Sequence, residues 1–366
     1  MKGFCVIESL AGGDLIIPDQ MIEFLFGKPG SGKTTYIIKE IEKNIAERKK
    51  TYLIVPEQQV YISEYMLASL PPCSALYFET VSFTRLAEIV FGEYGGLVKS
   101  DISSGAKRLI MWRNLHEIST LLLEYSCGRI DKKLCEMMLS LTEELRVNSI
   151  TPEMLENALS DSENSDFSKK IHDIVLIYSN YNRSLEQIFG DGASGDILSR
   201  LSDTLAEHDF FKGKQVFIDS FTDFTGVELS VLRHIIKSAD KVIFSASLPM
   251  RGFHSIYTES ITQTVKKLTS FAHKDNIETR DTVLGENHRQ KNAELKKLEE
   301  TLWDFTVSEN SVPEISEKDR GGIELAVCKN EYEEAEYMAL RILEARENGY
   351  LFSEIAVIPR DAESRK

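Results

Sequence analysis

MIEFLFGKPGSGKTTYI, residues 21–37, is the stretch that decides the fold of this 366-residue chain. A short apolar run ends at Phe26, and a glycine-rich segment with the spacing GxxxxGK[ST] follows from Gly27 to Thr34. Beyond it, isoleucines recur at helical spacing along one face. A strand, a glycine-rich loop and a helix in this order are typical of a P-loop. The stretch therefore predicts a phosphate-binding turn at the edge of an α/β sheet.

This P-loop predicts a binding site for a nucleoside triphosphate and its magnesium ion. Glycines allow successive backbone N–H groups to point at the phosphates, and Lys33 adds a positive charge near the terminal phosphates. The Thr34 hydroxyl is the magnesium ligand that the motif supplies. The predicted nucleotide-binding residues of the loop are Gly27, Lys28, Pro29, Gly30, Ser31, Gly32, Lys33, Thr34 and Thr35.

An acidic magnesium ligand is expected at the end of a neighbouring strand. The apolar run VFI ends in Asp219, so we predict that Asp219 and Thr34 hold Mg²⁺ together. The next residue is Ser220, where motors of the helicase kind usually carry the glutamate that activates the attacking water. A hydroxyl is a poor general base near neutral pH. Asp223 and Glu228 lie downstream and stay open as substitutes.

Composition and charge exclude several classes of protein. Hydrophobic residues make up 42% and charged residues 28% of the chain, which is ordinary for a globular protein. No apolar run is as long as a membrane span, and no signal peptide is evident, so we predict a cytoplasmic protein without membrane contact. The net charge of −15 argues against nonspecific coating of nucleic acid, but leaves room for a local basic groove. Five scattered cysteines without a CxxC pair predict reduced thiols.

Apolar periodicity predicts an α/β fold: a P-loop RecA-like parallel sheet with a large helical insertion and the start of a second α/β domain. Residues 274–320 are rich in charged residues and are predicted to be exposed helix and linker. Strands are predicted at 323–327 and 355–358, on either side of a helix. The predicted divisions are an N-terminal extension (1–20), the P-loop domain (21–96 plus 213–250), the helical insertion (97–212), a helical and linker region (251–320) and a truncated second domain (321–366).

Six stretches resemble the AddB (or RexB) family of B subunits of a bacterial ATP-dependent helicase/deoxyribonuclease. They are MIEFLFGKPGSGKTTYI, LIVPEQ, VSFTRLAEIVF, KKIHDIVLIYSNYN, VFIDSFTDFTGVEL and SEIAVIPRD, which sample most of the chain from residue 21 onward. The resemblance implies a domain related to superfamily 1 helicases, working beside an AddA-like subunit that carries the active motor. It also implies processing of broken DNA ends for recombination, with recognition of Chi sequences.

The resemblance adds expectations about cofactors and contacts. An iron–sulfur cluster and a nuclease site belong to the far C-terminal region of the family, so we expect neither in this chain, which we interpret as a fragment that begins natively at Met1 or Met21. Arg360 falls where related motors place an arginine near the terminal phosphate, although a surface arginine after an edge strand is the other interpretation. Arg85 is similarly a candidate contact for single-stranded DNA, while Phe83 is expected in the core.

Together these features predict a nucleotide-binding, helicase-like subunit that is not itself a motor. Two alternatives stay open: an active superfamily 1 DNA translocase, and a non-hydrolysing interaction scaffold in which the P-loop is a relic and the helical insertion docks a partner. The predicted cofactors are ATP and Mg²⁺. The predicted partners are an AddA-like helicase/nuclease subunit and DNA ends, both double- and single-stranded.

Overall fold

A computed structural model of the chain describes residues 20–67, 72–96, 102–125, 130–159, 165–189, 197–289, 292–302 and 321–359. It divides into two units, Met1–Arg289 and Gln290–Lys366. The strands of the first unit are β1 (Met21–Phe26), β2 (Lys50–Ile54), β3 (Phe78–Val81), β4 (Lys214–Ile218), β5 (Lys241–Ala246) and β6 (Glu278–Val283). Its helices are α1 (Lys33–Ala46), α2 (Glu57–Leu67), α3 (Phe83–Tyr94), α4 (Ser104–Glu117), α5 (Lys132–Val147), α6 (Pro152–Leu159), α7 (Ser165–Phe189), α8 (Ile197–Glu207), α9 (Gly226–Ser238) and α10 (Glu259–Lys274). The second unit contains α11 (Ala293–Leu302) and α12 (Glu331–Glu347).

The six strands form one sheet in the order β3-β2-β4-β5-β1-β6, and every neighbouring pair is parallel. Parallel strands need helical crossovers, and the helices between them cover the sheet on both faces. The expected α/β fold with a parallel sheet is confirmed. Because all strands run in the same direction, the carboxyl ends of β1 and β4 lie at the same edge, although β5 separates the two strands.

Strand β1 shows how the sheet divides the interior into two cores. Its residues Phe24 and Phe26 are fully buried in the larger core, which helices α3, α8, α9 and α10 close. The intervening Leu25 points to the other face, where it packs with Ile37 and Ile41 of α1. Side chains alternate across a strand, so an apolar run of this kind is expected where both faces are covered. Helix α1 is thereby held directly against the strand that precedes the P-loop.

Helices α4, α5 and α7 enclose a separate core between α3 and α8 in the chain. Its largest buried members include Met111, Leu115, Ile177 and Tyr181. This helical group meets the sheet domain closely at Gly226, the first residue of α9. A Cβ atom on Gly226 would lie 2.3 Å from the carbonyl oxygen of Asn148, just beyond the end of α5. Glycine is required here because of that close backbone approach.

A buried carboxylate closes one end of the helical group. Asp173 of α7 is fully buried and accepts hydrogen bonds from the backbone N–H groups of Leu123, Glu124 and Tyr125 at 2.8, 2.8 and 3.0 Å. We expect Asp173→Ala to destabilise the helical group by about 2 to 4 kcal/mol, because three backbone donors lose a charged acceptor. Hydrogen exchange at residues 123–125 measures the loss directly. Asp173→Asn keeps one acceptor oxygen, so hydrogen exchange at residues 123–125 should increase less in it than in Asp173→Ala. Unchanged exchange in Asp173→Ala would contradict this role.

The same carboxylate predicts a pH dependence with a definite sign. Burial raises the pKa of Asp173, but the hydrogen bonds from the three N–H groups outweigh it and hold the pKa below its ordinary value. A depressed folded-state pKa stabilises the fold above the unfolded-state pKa, and this stability is lost as the pH falls through the folded-state value. The rise in hydrogen exchange at residues 123–125 as the pH is lowered should therefore be smaller in Asp173→Asn than in the wild type. Equal acid sensitivity would argue against the carboxylate as its source.

Strand β6 departs from the sequence prediction. Residues 278–283 fall in the region predicted to be exposed helix and linker, but they form the edge strand beside β1. Their sequence, ETRDTV, lacks the apolar run of a buried strand because much of the strand is exposed. Arg251 secures it on one face: its guanidinium donates to both carboxylate oxygens of Asp281 at 2.6 Å and lies 4.6 Å from the ring centre of Phe24. This contact between distant residues is invisible to local periodicity.

The second unit confirms a helix at α12 but neither of the strands predicted on its flanks. Residues 323–327 and 355–358 form no strand, and Leu325, Val327 and Ile358 are each about 90% exposed. A strand needs a neighbour to satisfy its backbone groups, and the described residues supply none beside these two segments. Glu294 of α11 accepts hydrogen bonds from the backbone N–H groups of Gly321, Gly322 and Ile323. The predicted N-terminal extension lies outside the described residues except for Gln20.

Candidate nucleotide-binding site

The P-loop connects the end of β1 directly to the first turn of α1. Gly30 and Gly32 have φ angles of +85° and +87°, a left-handed backbone that disfavours any residue with a Cβ atom. Gly32 is the N-cap of α1, and the first turn of the helix carries no acidic side chain. The N–H groups of a first helical turn have no partner within the helix, and the helix dipole favours an anion there. The loop thus has the local structure of an anion-binding turn.

Two further loop residues are packed tightly. Ser31 is buried, and a Cβ atom on Gly27 would lie 2.1 Å from its hydroxyl oxygen. Lys28 is half-buried, whereas Pro29 and Thr35 are exposed at the mouth of the loop. Gly27 is therefore required by space, and Gly30 and Gly32 by backbone conformation.

Lys33 is folded back across its own loop. Its Nζ donates hydrogen bonds to the carbonyl oxygens of Gly27 at 2.6 Å and Lys28 at 3.0 Å, and the residue is only 9% exposed. Burial lowers the pKa of Lys33 to about 8; the carboxylate of Asp219 opposes this shift, and the charge of Arg289 adds to it. An incoming anion should therefore stabilise the charge of this poorly solvated lysine more than it would that of a hydrated one.

Thr34 and Asp219 meet as the sequence predicts. The Thr34 hydroxyl donates to Asp219 Oδ2 at 3.1 Å, although the two residues are 185 positions apart. Asp219 follows β4 and is buried, and its backbone N–H donates to the carbonyl of Ile54 on the neighbouring strand. Hydroxyl and carboxylate oxygens are the ligands that magnesium prefers. The pair therefore fits a magnesium ion shared with a bound phosphate.

Ser220 has an unusual backbone. Its φ angle is +67°, in the left-handed region that few residues other than glycine and asparagine adopt, and its N–H donates to Asp219 Oδ1 at 2.9 Å. Strained backbone of this kind clusters at functional sites. Here it turns the chain sharply behind Asp219 and holds the carboxylate in place. Of the two acids left open as substitute bases, Glu228 is engaged with Thr225 in the capping box of α9 and Asp223 accepts from Phe224 N–H.

A cavity of about 750 Å³ opens over the loop, and sequence reasoning missed one of its walls, which packs directly against the loop. That wall is the segment after β6: Leu284 N–H donates to Phe26 O at 2.8 Å, and His288 N–H donates to Gly30 O at 2.9 Å. Arg289 follows so closely that a Cβ on Gly30 would lie 2.7 Å from Arg289 Cβ. Both His288 and Arg289 line the cavity. The one local signal was a His–Arg pair between a strand and a helix, which is too common to single out.

The remaining predicted contacts are placed as follows. Phe83 is 5% exposed and packs in the larger core, which confirms its assignment to packing. Arg85 is exposed and forms an ion pair with Glu88 at 2.7 Å, so a contact with DNA stays a prediction. Arg360 lies outside the described residues.

The sequence matches one known protein family over most of its length. The family model described as "ADDB, N-terminal" matches residues 24–299, about three quarters of the chain. The chain belongs to the ADDB N-terminal family. The resemblance inferred from the six sequence stretches is confirmed, and the ADDB match spans the P-loop, Asp219 and the segment that carries Arg289.

Curated relatives of this ADDB chain share one name, that of the B subunit of an ATP-dependent helicase/deoxyribonuclease. The Clostridium tetani protein is 29% identical, the Clostridium acetobutylicum protein 27% and the Clostridioides difficile protein 28%, each over 93% of this chain. The match covers 30% of the length of each of these three proteins, so the ADDB chain spans about a third of them.

The described residues contain neither a cluster of metal-binding side chains nor a membrane-spanning helix. Among the described residues, no three or more His, Cys, Asp or Glu side chains are grouped so as to hold a metal ion. No helix in the same residues combines the length and apolar character that a membrane span requires.

Proposed function

We propose that this chain is the nucleotide-binding, helicase-like part of the B subunit of an ATP-dependent helicase/deoxyribonuclease, and that it is not itself a motor. The observation that carries the proposal is the meeting of Thr34 and Asp219, 3.1 Å apart, beside a P-loop with two left-handed glycines. Membership of the ADDB family and the shared name of the relatives support the wider assignment.

ATP is proposed to bind with its phosphates against the first turn of α1. The N–H groups of the loop donate to the phosphate oxygens, and Lys33 turns from the carbonyls of Gly27 and Lys28 toward the terminal phosphates. Arg289 lines the same cavity and adds a second positive charge from the segment that follows β6. Thr34 and Asp219 would hold Mg²⁺, which supplies neutralisation of phosphate charge. Lys28, Pro29 and Thr35 complete the mouth of the site, and Arg360 stays a further candidate.

The wider role follows the family. We propose that the complete protein processes double-strand breaks for recombinational repair in the cytoplasm, together with an AddA-like subunit, and contacts single- and double-stranded DNA ends. We further propose that nuclease chemistry and an iron–sulfur cluster belong to parts of the protein beyond this chain. The helical insertion predicted at 97–212, in which α4, α5 and α7 enclose their own core, is the proposed contact for DNA or the partner rather than for nucleotide.

Titration of the chain with MgATP tests the proposal. We expect saturable binding that weakens in Asp219→Ala and Thr34→Val when magnesium is present, and that changes little between these variants and the wild type when magnesium is replaced by a chelator. Absence of binding would favour the scaffold alternative. Turnover at the rate of a motor would favour the translocase alternative.

The lowered pKa of Lys33 predicts a pH dependence of binding. Phosphates favour the protonated amine, so the complex has a higher Lys33 pKa than the free protein, in which it is about 8. Affinity for MgATP should therefore be insensitive to this group below pH 8 and fall above it, by at most about tenfold per pH unit. Calorimetry in buffers of different ionisation enthalpy, between pH 7 and 9.5, should reveal proton uptake on binding. A constant affinity over that range would contradict the linkage.

A further inference from the structure

Glu23 is a charged residue in the middle of the buried strand β1. It is 1% exposed, and its neighbours Ile22 and Phe24 are fully buried. Burying a carboxylate is costly unless it is paired, and a well-packed apolar residue at such a position is often at least as stable. Stability of the sheet therefore does not by itself account for a carboxylate here.

Three side chains converge on this carboxylate from different elements. Tyr36 of α1 donates its hydroxyl to Glu23 Oε1 at 3.0 Å, and Thr282 of β6 donates to the same oxygen at 2.6 Å. Lys241 of β5 forms an ion pair with Oε2 at 2.9 Å. Burial raises the pKa of Glu23, but the contacts with Thr282, Lys241 and Tyr36 lower it below its ordinary value. The group is therefore a carboxylate at neutral pH.

The two hydroxyl partners belong to two different elements beside the candidate nucleotide site, helix α1 and strand β6. Tyr36 lies one turn along α1 from Lys33 and lines the cavity. Thr282 lies two residues before Leu284, whose N–H binds Phe26 and which begins the segment carrying Arg289. Glu23 Oε1 therefore joins helix α1, which follows the P-loop, to strand β6, which precedes the segment carrying Arg289.

We propose that Glu23 is a positioning residue for triphosphate binding: through Tyr36 and Thr282 it holds the wall that carries Arg289 in register with the P-loop. The proposal rests on the nucleotide-binding function proposed above. Glu23 does not touch the phosphates in this account. It acts through Thr282, because a shift of β6 along β1 would move Arg289 away from the loop while leaving Lys33 and Thr34 in place.

A double-mutant cycle on the whole chain tests this coupling. Thr282→Val removes the hydroxyl with little change of shape and should weaken MgATP binding about fivefold, the equivalent of one hydrogen bond. In an Arg289→Ala background the same change should cost less than about twofold, because the group that Thr282 positions is absent. A purely structural role would lower the melting temperature without changing affinity, or would reduce affinity equally in both backgrounds. Either result would overturn the proposal.

Substitution of Glu23 supplies a rescue test. Glu23→Gln keeps an oxygen to accept from Tyr36 and Thr282, and should retain affinity within about twofold, whereas Glu23→Leu should lose as much as Thr282→Val. Glu40→Gln is the matched control, because Glu40 lies 3.7 Å from the same Lys241 on the exposed side of the network. If Glu23→Leu fails to fold, the Thr282 cycle still decides the question.

The outcomes separate this inference from the function on which it rests. Absence of MgATP binding, or binding that Lys33→Ala leaves unchanged, refutes the proposed function and the positioning role together. Binding that depends on Lys33 but shows additive effects of Thr282→Val and Arg289→Ala refutes only the positioning role.

Discussion

Replacing Lys33 by alanine is expected to weaken MgATP binding by a factor on the order of 100 or more, which is loss of binding in most assays. Charge-assisted hydrogen bonds contribute about 1.5 to 3 kcal/mol each. The amine of Lys33 is proposed to make such bonds with the terminal phosphates. The buried position of Lys33 strengthens the effect, because its charge is poorly solvated without a ligand. Isothermal titration calorimetry of the two proteins gives the comparison directly.

Controls separate loss of the charge from loss of the loop. Lys33 also donates to the carbonyls of Gly27 and Lys28, so its removal loosens the loop itself. The melting temperature and circular dichroism of the variant should stay close to those of the wild type if the sheet is intact. Lys43→Ala, at an exposed position near the end of the same helix, should bind MgATP normally. Undiminished affinity in Lys33→Ala would refute the proposed site.

The second large effect concerns hydrolysis. We expect the chain to bind MgATP but to turn it over slowly, because general base catalysis contributes on the order of 10² to 10⁴ in rate and Ser220 supplies no base. The structure strengthens this expectation, since Glu228 caps α9 through Thr225 and is committed to that role. Phosphate release measured at saturating MgATP checks it. A motor-like rate that Lys33→Ala removes would refute the non-motor proposal.

The left-handed backbone at Ser220 determines how this prediction is best tested. Ser220→Glu supplies a carboxylate but places a residue of low left-handed propensity at a φ of +67°. Ser220→Asn is the matched control, because asparagine accepts that conformation without adding a base. Turnover in the proposed complex of the full-length protein with its partner subunit should be higher for the glutamate variant than for the asparagine variant. Equal turnover would indicate that the missing base does not limit hydrolysis at this site.

Local sequence patterns determined much of this protein. The spacing of Gly27, Gly30, Gly32 and Lys33 specifies the loop from nearby residues alone. Gly30 and Gly32 adopt the left-handed backbone that glycine takes without penalty, and Gly27 leaves no room for a Cβ atom. Apolar runs predicted the strands β1 and β4, and the parallel sheet followed from the alternation of apolar runs with amphipathic stretches. The apolar run that ends in Asp219 predicted the residue that meets Thr34 in the proposed magnesium site.

Only the tertiary structure showed that the segment carrying Arg289 lines the cavity, and that residues 323–327 and 355–358 form no strands. Strand β6 is polar because it lies at an edge, so it left no periodic signal, and the position of Arg289 depends on pairing between β6 and β1. Glu23 interrupts the apolar run of β1, and its contacts with Tyr36 of α1 and Thr282 of β6 are visible only in the folded chain. Conversely, residues 323–327 have strand-like composition but no neighbouring strand among the described residues. A glycine loop is a property of its own backbone, whereas a strand and a buried charge exist only through the partners that the fold supplies.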